Sequence, residues 1–153
     1  MVAELNAEPG DIATPADIDR LVATFYERLL GDAMLGFIFT DIAAINLPEH
    51  LPRISAFWQQ QLLGIPGYRG QTLAVHSDLH RRIALTAEHF HRWLFLFDKT
   101  VDELFQGRIA DAAKLRARNI AASMQQALAQ RHRSDLQLNP LTGVNYHAPD
   151  SSK

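Results

Sequence analysis

The chain has no cysteine. Disulfides, thiolate-held metals, cysteine nucleophiles and CxxCH cofactor attachment are therefore excluded, and any metal must be held by His, Asp, Glu, Tyr or Met. Net charge is nearly absent as well. A formal −2 at pH 7, with the basic residues scattered, gives no field to draw in nucleic acid or an anionic membrane. No apolar run approaches the ~18 residues of a membrane span. The segment Met1 to Gly10 is acidic, is broken by Pro9, and lacks the basic and apolar regions of a secretory signal, so a cytoplasmic location is expected. Strand patterning is weak throughout and no internal repeat is evident, which argues against β architectures and against a helical solenoid.

What remains is a chain of 153 residues, 47% hydrophobic and 21% charged, within the range of one ordinary soluble domain. Apolar residues recur at spacings of three and four in five successive segments separated by Gly, Pro or polar stretches, so the fold class is all-α. The expected organisation is an N-terminal extension over 1–13, a helical domain over 14–133, and a polar tail over 134–153 that holds Pro140, Gly143 and Pro149.

Thr14, Pro15 and Asp17 form a start signal, because a threonine oxygen and an early proline suit the unpaired amides of a first turn. Ile18, Leu21, Val22, Phe25, Tyr26 and Leu29 then share one face, and Gly31 ends it. The apolar stretch from Met34 to Asp41 predicts a tight, buried helical corner. A second helix is predicted from near Pro48, since Pro52 is tolerable only in a first turn; His50, Ile54 and Trp58 share its face. Beyond the loop over 64–71, a short helix carries Leu73, His76, Leu79 or His80, and Ile83. Thr86 and Glu88 open an apolar helix that continues through Val101 to Phe105 and breaks at Gly107. The last helix runs from about Arg108 to Arg131, with Ile109, Ala113, Ile120, Met124 and Leu128 inward.

Of the seven histidines, His76 and His80 are spaced i, i+4 and could grip an ion from one face, but no HExxH carboxylate base accompanies them. His89 and His91 stand about 200° apart on a helix and read as first-turn surface residues. Tyr26, Phe39, His50, Ile54, Phe57, Trp58, His76 and Trp93 come from separate segments; converging, they would form an apolar slot with a few polar tips. A flat porphyrin needs such a slot, with a histidine on the iron at one side and O–H or N–H donors at the other. The periodicity permits this arrangement without requiring it.

At this point the sequence resembles the group III truncated haemoglobins, bacterial two-over-two globins. The resemblance rests on Phe25-Tyr26, Leu35-Gly36-x-Ile38-Phe39, His50-Leu51-Pro52, Phe57-Trp58-x-x-x-Leu62-Leu63-Gly64, Tyr68-x-Gly70, His76-x-x-Leu79 and His89-Phe90-x-Arg92-Trp93-Leu94-x-Leu96-Phe97, and covers about residues 14 to 130. It implies a two-over-two helical sandwich around haem b, iron protoporphyrin IX. By position His76 matches the iron ligand, and Tyr26, His50 and Trp93 match the polar residues on the opposite side. Phe39 matches the aromatic packed on the haem, and Ile54, Phe57, Trp58, Leu79, Phe90 and Ile120 the apolar lining. Arg53 is expected to point to the haem edge, toward a propionate. One departure is Thr72, where the family often has Pro.

The function so implied is reversible binding of dioxygen or other diatomic ligands, for ligand chemistry or sensing rather than bulk transport, with a reductase as a candidate partner. Two alternatives stay open: a haem enzyme acting on peroxide or nitric oxide, and a non-haem metal or partner-binding helical domain built on His76 and His80.

Overall fold

The computed structural model describes residues 8–39, 47–68 and 85–138, the stretch from 131 onward as backbone only. Four helices make up the fold there: α1 (Pro15–Gly31), α2 (Leu47–Leu63), α3 (Ala87–Leu104) and α4 (Arg108–Leu138), with no strand among the described residues. Helix α1 packs on α2 and α3, α3 on α4, and α2 touches α4. Two layers, α1 with α2 and α3 with α4, thus enclose one interior.

Helices α1, α3 and α4 begin for identifiable reasons. Thr14 and Asp17 form a reciprocal capping box at α1: the Thr14 oxygen accepts from the Asp17 amide at 3.2 Å, and Asp17 Oδ2 accepts from the Thr14 amide at 3.0 Å. The six residues predicted for its inner face are the six that it buries. Thr86 and His89 form the same device at α3, with histidine where Glu or Gln is usual. Asp11 caps α4 from outside the helix, accepting from the Ile109 and Ala110 amides at 2.8 Å each. Gly107, with φ of +148°, is what lets that carboxylate approach; a Cβ there would sit 2.5 Å from Asp11 Cγ.

Several sequence expectations change. The corner after α1 turns Leu35 and Ile38 inward but leaves Met34 and Phe37 exposed; Asp32 accepts from the Met34 and Leu35 amides, winding the backbone too tightly for every apolar side chain to face the core. Gly36 is required in this corner, because a Cβ would lie 2.6 Å from the Leu30 carbonyl oxygen. Helix α2 starts at Leu47, so Pro52 lies inside it rather than in its first turn, and the Pro48 carbonyl loses its intrahelical donor. Helix α4 runs seven residues past the expected Arg131. The first breaker after Gly107 is Pro140, and the polar composition that suggested an earlier end does not oppose helix by itself. The short helix with His76, Leu79 and His80, the residues Arg69, Arg81 and Arg82, and the tail beyond 138 lie outside the described residues.

The core is an aromatic layer contributed by α1, α2 and α3. Phe97, 1% exposed, stacks on Trp58 (centroids 5.0 Å) and on Trp93 (5.6 Å), and meets Phe25 edge-on at 5.1 Å. Helix α4 answers these large rings with small side chains: Ala110, Ala113, Ala117 and Ala121 are all buried, which keeps the layers close.

Candidate functional site

Beside that aromatic layer the helices leave a slot with about 970 Å³ free of protein atoms, open solvent at its mouth included. Every helix contributes. Phe25 and Tyr26 come from α1, Leu35, Ile38 and Phe39 from the corner, Ile54, Phe57 and Trp58 from α2, Leu85, His89, Phe90 and Trp93 from α3 and the residue pair before it, and Ile120, Ala121 and Met124 from α4. Most of this lining is hydrocarbon or aromatic, which favours a flat, largely apolar occupant.

The polar tips are few. Tyr26 is 7% exposed, and burial pushes its phenol well above the ordinary tyrosine range, so it remains a protonated O–H. Its oxygen lies 3.0 Å from His50 Nε2, with the two rings edge to face at 5.3 Å. Phe39 meets Tyr26 edge-on from the other side at 5.9 Å. Trp93 is half-buried, and its indole N–H makes no hydrogen bond among the described residues.

Two charged groups position this machinery without lining the slot. Arg92, the neighbour of Trp93, donates to Asp32 Oδ1 through Nε at 2.8 Å and Nη2 at 2.6 Å. The Asp32 side chain is 4% exposed, and the guanidinium, reinforced by the Leu35 and Met34 amides, holds its carboxyl below the usual range against the effect of burial. On the far side of α3, Arg28 donates to the buried Thr100 hydroxyl at 3.2 Å and pairs with Glu103.

Of the residues expected at the site, Tyr26, Phe39, Ile54, Phe57, Trp58, Phe90, Trp93 and Ile120 converge on the slot, and His50 joins them through Tyr26. Arg53 is not among the lining residues; its side chain is 70% exposed and pairs with Glu49 at 3.4 Å. His76 and Leu79 lie outside the described residues. His89 corrects an expectation: His91 is exposed, but His89 is half-buried and lines the slot. The turn begun at Thr86 aims its ring back over the N-terminus of α3, and the paired spacing of two histidines did not carry that information. Phe25, Leu35, Ile38 and Met124 also line the slot; their inward periodicity marked them as core, and nothing in periodicity separates core from lining.

Helical layers around an apolar slot with a buried tyrosine and a tryptophan at its polar end define a helical ligand-binding domain of the globin class. No family model matches the chain. It is, however, 32% identical over 114 residues to the group 3 truncated haemoglobin of Campylobacter jejuni, a match spanning 72% of this chain and 87% of that protein. The crystal structure of a group III truncated haemoglobin from Campylobacter jejuni superposes with a TM-score of 0.70 at 29% identity, covering 78% of this chain and 94% of the other. The chain therefore belongs to the group 3 truncated haemoglobins, a haem-binding globin family with the two-over-two fold.

The slot fits that group on its own features. It is apolar on its walls, contributed to by all four helices, and polar at separate points rather than throughout, as a porphyrin with an apolar body and a reactive centre demands. No group of three His, Cys, Asp or Glu side chains that could hold a metal ion occurs among the described residues.

Proposed function

We propose that this chain holds haem b in the slot, with His76 as the iron ligand, and retains dioxygen or another diatomic ligand beside Tyr26 and Trp93 for chemistry or sensing rather than bulk delivery. The observation that carries the reading is the buried Tyr26 hydroxyl, 3.0 Å from His50 Nε2 on a largely apolar slot. When bound, haem supplies the iron centre to which a diatomic ligand attaches.

The protein's own contribution is donors and dryness. Tyr26 cannot ionise at physiological pH, so its oxygen always carries a proton to share. His50 fixes the direction of that hydroxyl, and which of the two donates follows the imidazole tautomer. Trp93 offers an N–H that no described residue consumes, from a ring held by Phe97 at 5.6 Å and Phe25 at 5.5 Å. Phe39, Ile54, Phe57 and Phe90 exclude water, which strengthens any hydrogen bond made in the slot. A hydrogen bond to a group carrying charge is worth about 1.5 to 3 kcal/mol, so two donors together slow ligand escape by on the order of a hundredfold or more.

The test is reconstitution followed by kinetics. The chain with added haem is expected to give a Soret band, His76→Ala to lose tight haem binding, and Tyr26→Phe and Trp93→Phe each to release dioxygen about tenfold faster. Unchanged release in both single variants sinks the two-donor site.

A second reading, a haem enzyme acting on peroxide or nitric oxide, is favoured by the Tyr26 and His50 contact, which links the buried slot to a less buried ring and so provides a route for a proton. Turnover no faster than free haem counts against it. A cytoplasmic setting and a reductase partner belong to the same proposal; the described helices include none long and apolar enough to cross a membrane.

A further inference from the structure

We infer that His89 is a hydrogen-bond donor to a carboxylate of the molecule that occupies the slot, an assignment that rests on the haem reading above. The ring is half-buried and lines the slot next to Phe90. Its Nδ1 lies 3.0 Å from the Thr86 amide nitrogen, which donates to it, and 3.2 Å from the Thr86 hydroxyl. A ring nitrogen that accepts a backbone N–H carries no proton, so the neutral imidazole is locked with its proton on Nε2. That Nε2–H makes no hydrogen bond among the described residues.

The choice of residue is informative. The third position of a capping box is ordinarily Glu or Gln, and Glu accepts from the cap amide as well as histidine does. Here Glu would place a negative charge at the slot. Histidine gives Thr86 the same acceptor and gives the slot an N–H donor. Among the described residues, Tyr26, Arg92 and Arg53 are already committed elsewhere. Tyr26 is deep and engaged with His50, Arg92 is held by Asp32, and Arg53 is turned out to Glu49. A flat ligand with carboxylates on one edge must leave them where water reaches, and the half-buried His89 meets that condition better than Tyr26.

The experiment uses the full chain loaded either with haem or with haem dimethyl ester, whose carboxylates are masked, and follows transfer to excess apoglobin by the Soret change. Thermal melting of each unloaded variant is recorded alongside. His89→Glu retains the capping box, so its unloaded melting midpoint is expected to equal or exceed that of wild type, while it loses haem about tenfold faster. His89→Gln, which keeps both the cap acceptor and an N–H donor, is expected to hold haem nearly as well as wild type. With the ester, all three proteins are expected to lose the ligand at the same rate. Equal haem loss from His89→Glu and wild type, or the same acceleration with the ester, overturns the assignment. A wild-type chain that gives no Soret band overturns the haem reading itself.

Discussion

Asp32 and Arg92 tie the end of α1 to the first half of α3. Two guanidinium nitrogens converge on one carboxylate oxygen at 2.8 and 2.6 Å, while the other oxygen accepts the Met34 and Leu35 amides at 3.1 and 3.0 Å. One buried carboxylate thus holds both the corner that carries Phe39 and the helix that carries Trp93.

Asp32→Ala is expected to cost about 2 kcal/mol in urea unfolding, because it leaves charged and backbone donors without their acceptor. Arg92→Ala is expected to cost less, since Asp32 keeps its two amides. The reverse order in denaturation midpoints would show that the ion pair, and not the corner, dominates.

Acid should weaken the fold through the same group and through Asp11. Arg92 is the leading influence holding the Asp32 carboxyl below its ordinary 3.8. For Asp11, burial pushes upward, but the amides of Ile109, Ala110 and Ile12 together outweigh it, and the net direction is also down. A carboxyl lowered in the folded state stabilises fully above its unfolded value and loses that contribution as pH falls through the folded value. Stability is therefore expected to drop below pH 3.8, and to drop less in Asp32→Asn; a melting series from pH 6 to pH 2 checks both.

Asp98 has the opposite sign. Burial raises its carboxyl despite Arg118 at 3.3 Å, and Oδ1 has no hydrogen-bond partner among the described residues. A raised carboxyl favours folding only while protonated, so its ionisation at neutral pH opposes the fold. Asp98→Asn is expected to melt higher than wild type at pH 7, and the difference is expected to vanish once pH falls below 3.8.

Gly107→Ala is expected to destabilise by about 2 kcal/mol or more, since it combines a backbone angle that alanine rarely adopts with a clash against Asp11. Asp11→Ala should cost less in the Gly107→Ala background than in wild type, as the clash goes but the strain stays. Simple additivity of the two single variants would refute the contact.

Periodicity and caps made α1 and α3 legible, because Thr14, Thr86 and the residues they cap are local signals, and all six buried positions of α1 follow from spacing alone. In the slot, Tyr26, Trp58 and Trp93 stood out as rare aromatic and polar types, whereas common apolar residues such as Phe90 and Ile120 were marked only by the family resemblance. His89 was not legible as a slot residue, because its place in the slot depends on a ring rotation set by Thr86. Arg53 was expected at a ligand edge from the family resemblance, and in the structure it pairs with Glu49 four residues earlier on the same helix. The exposure of Met34 and Phe37 depends on the winding that Asp32 imposes, a tertiary effect that composition cannot report.

The alanines of α4 carry a consequence for how this domain can vary. Ala117 and Ala121 are fully enclosed, and Ala121 also borders the slot. A methylene added at Ala121 enters the room available to the occupant, whereas one added at Ala117 overpacks a core position with no such room beside it. Substitutions that enlarge Ala121 should make the empty protein more compact and the loaded protein harder to form, so that tolerance to heat and capacity for a guest pull that one residue in opposite directions.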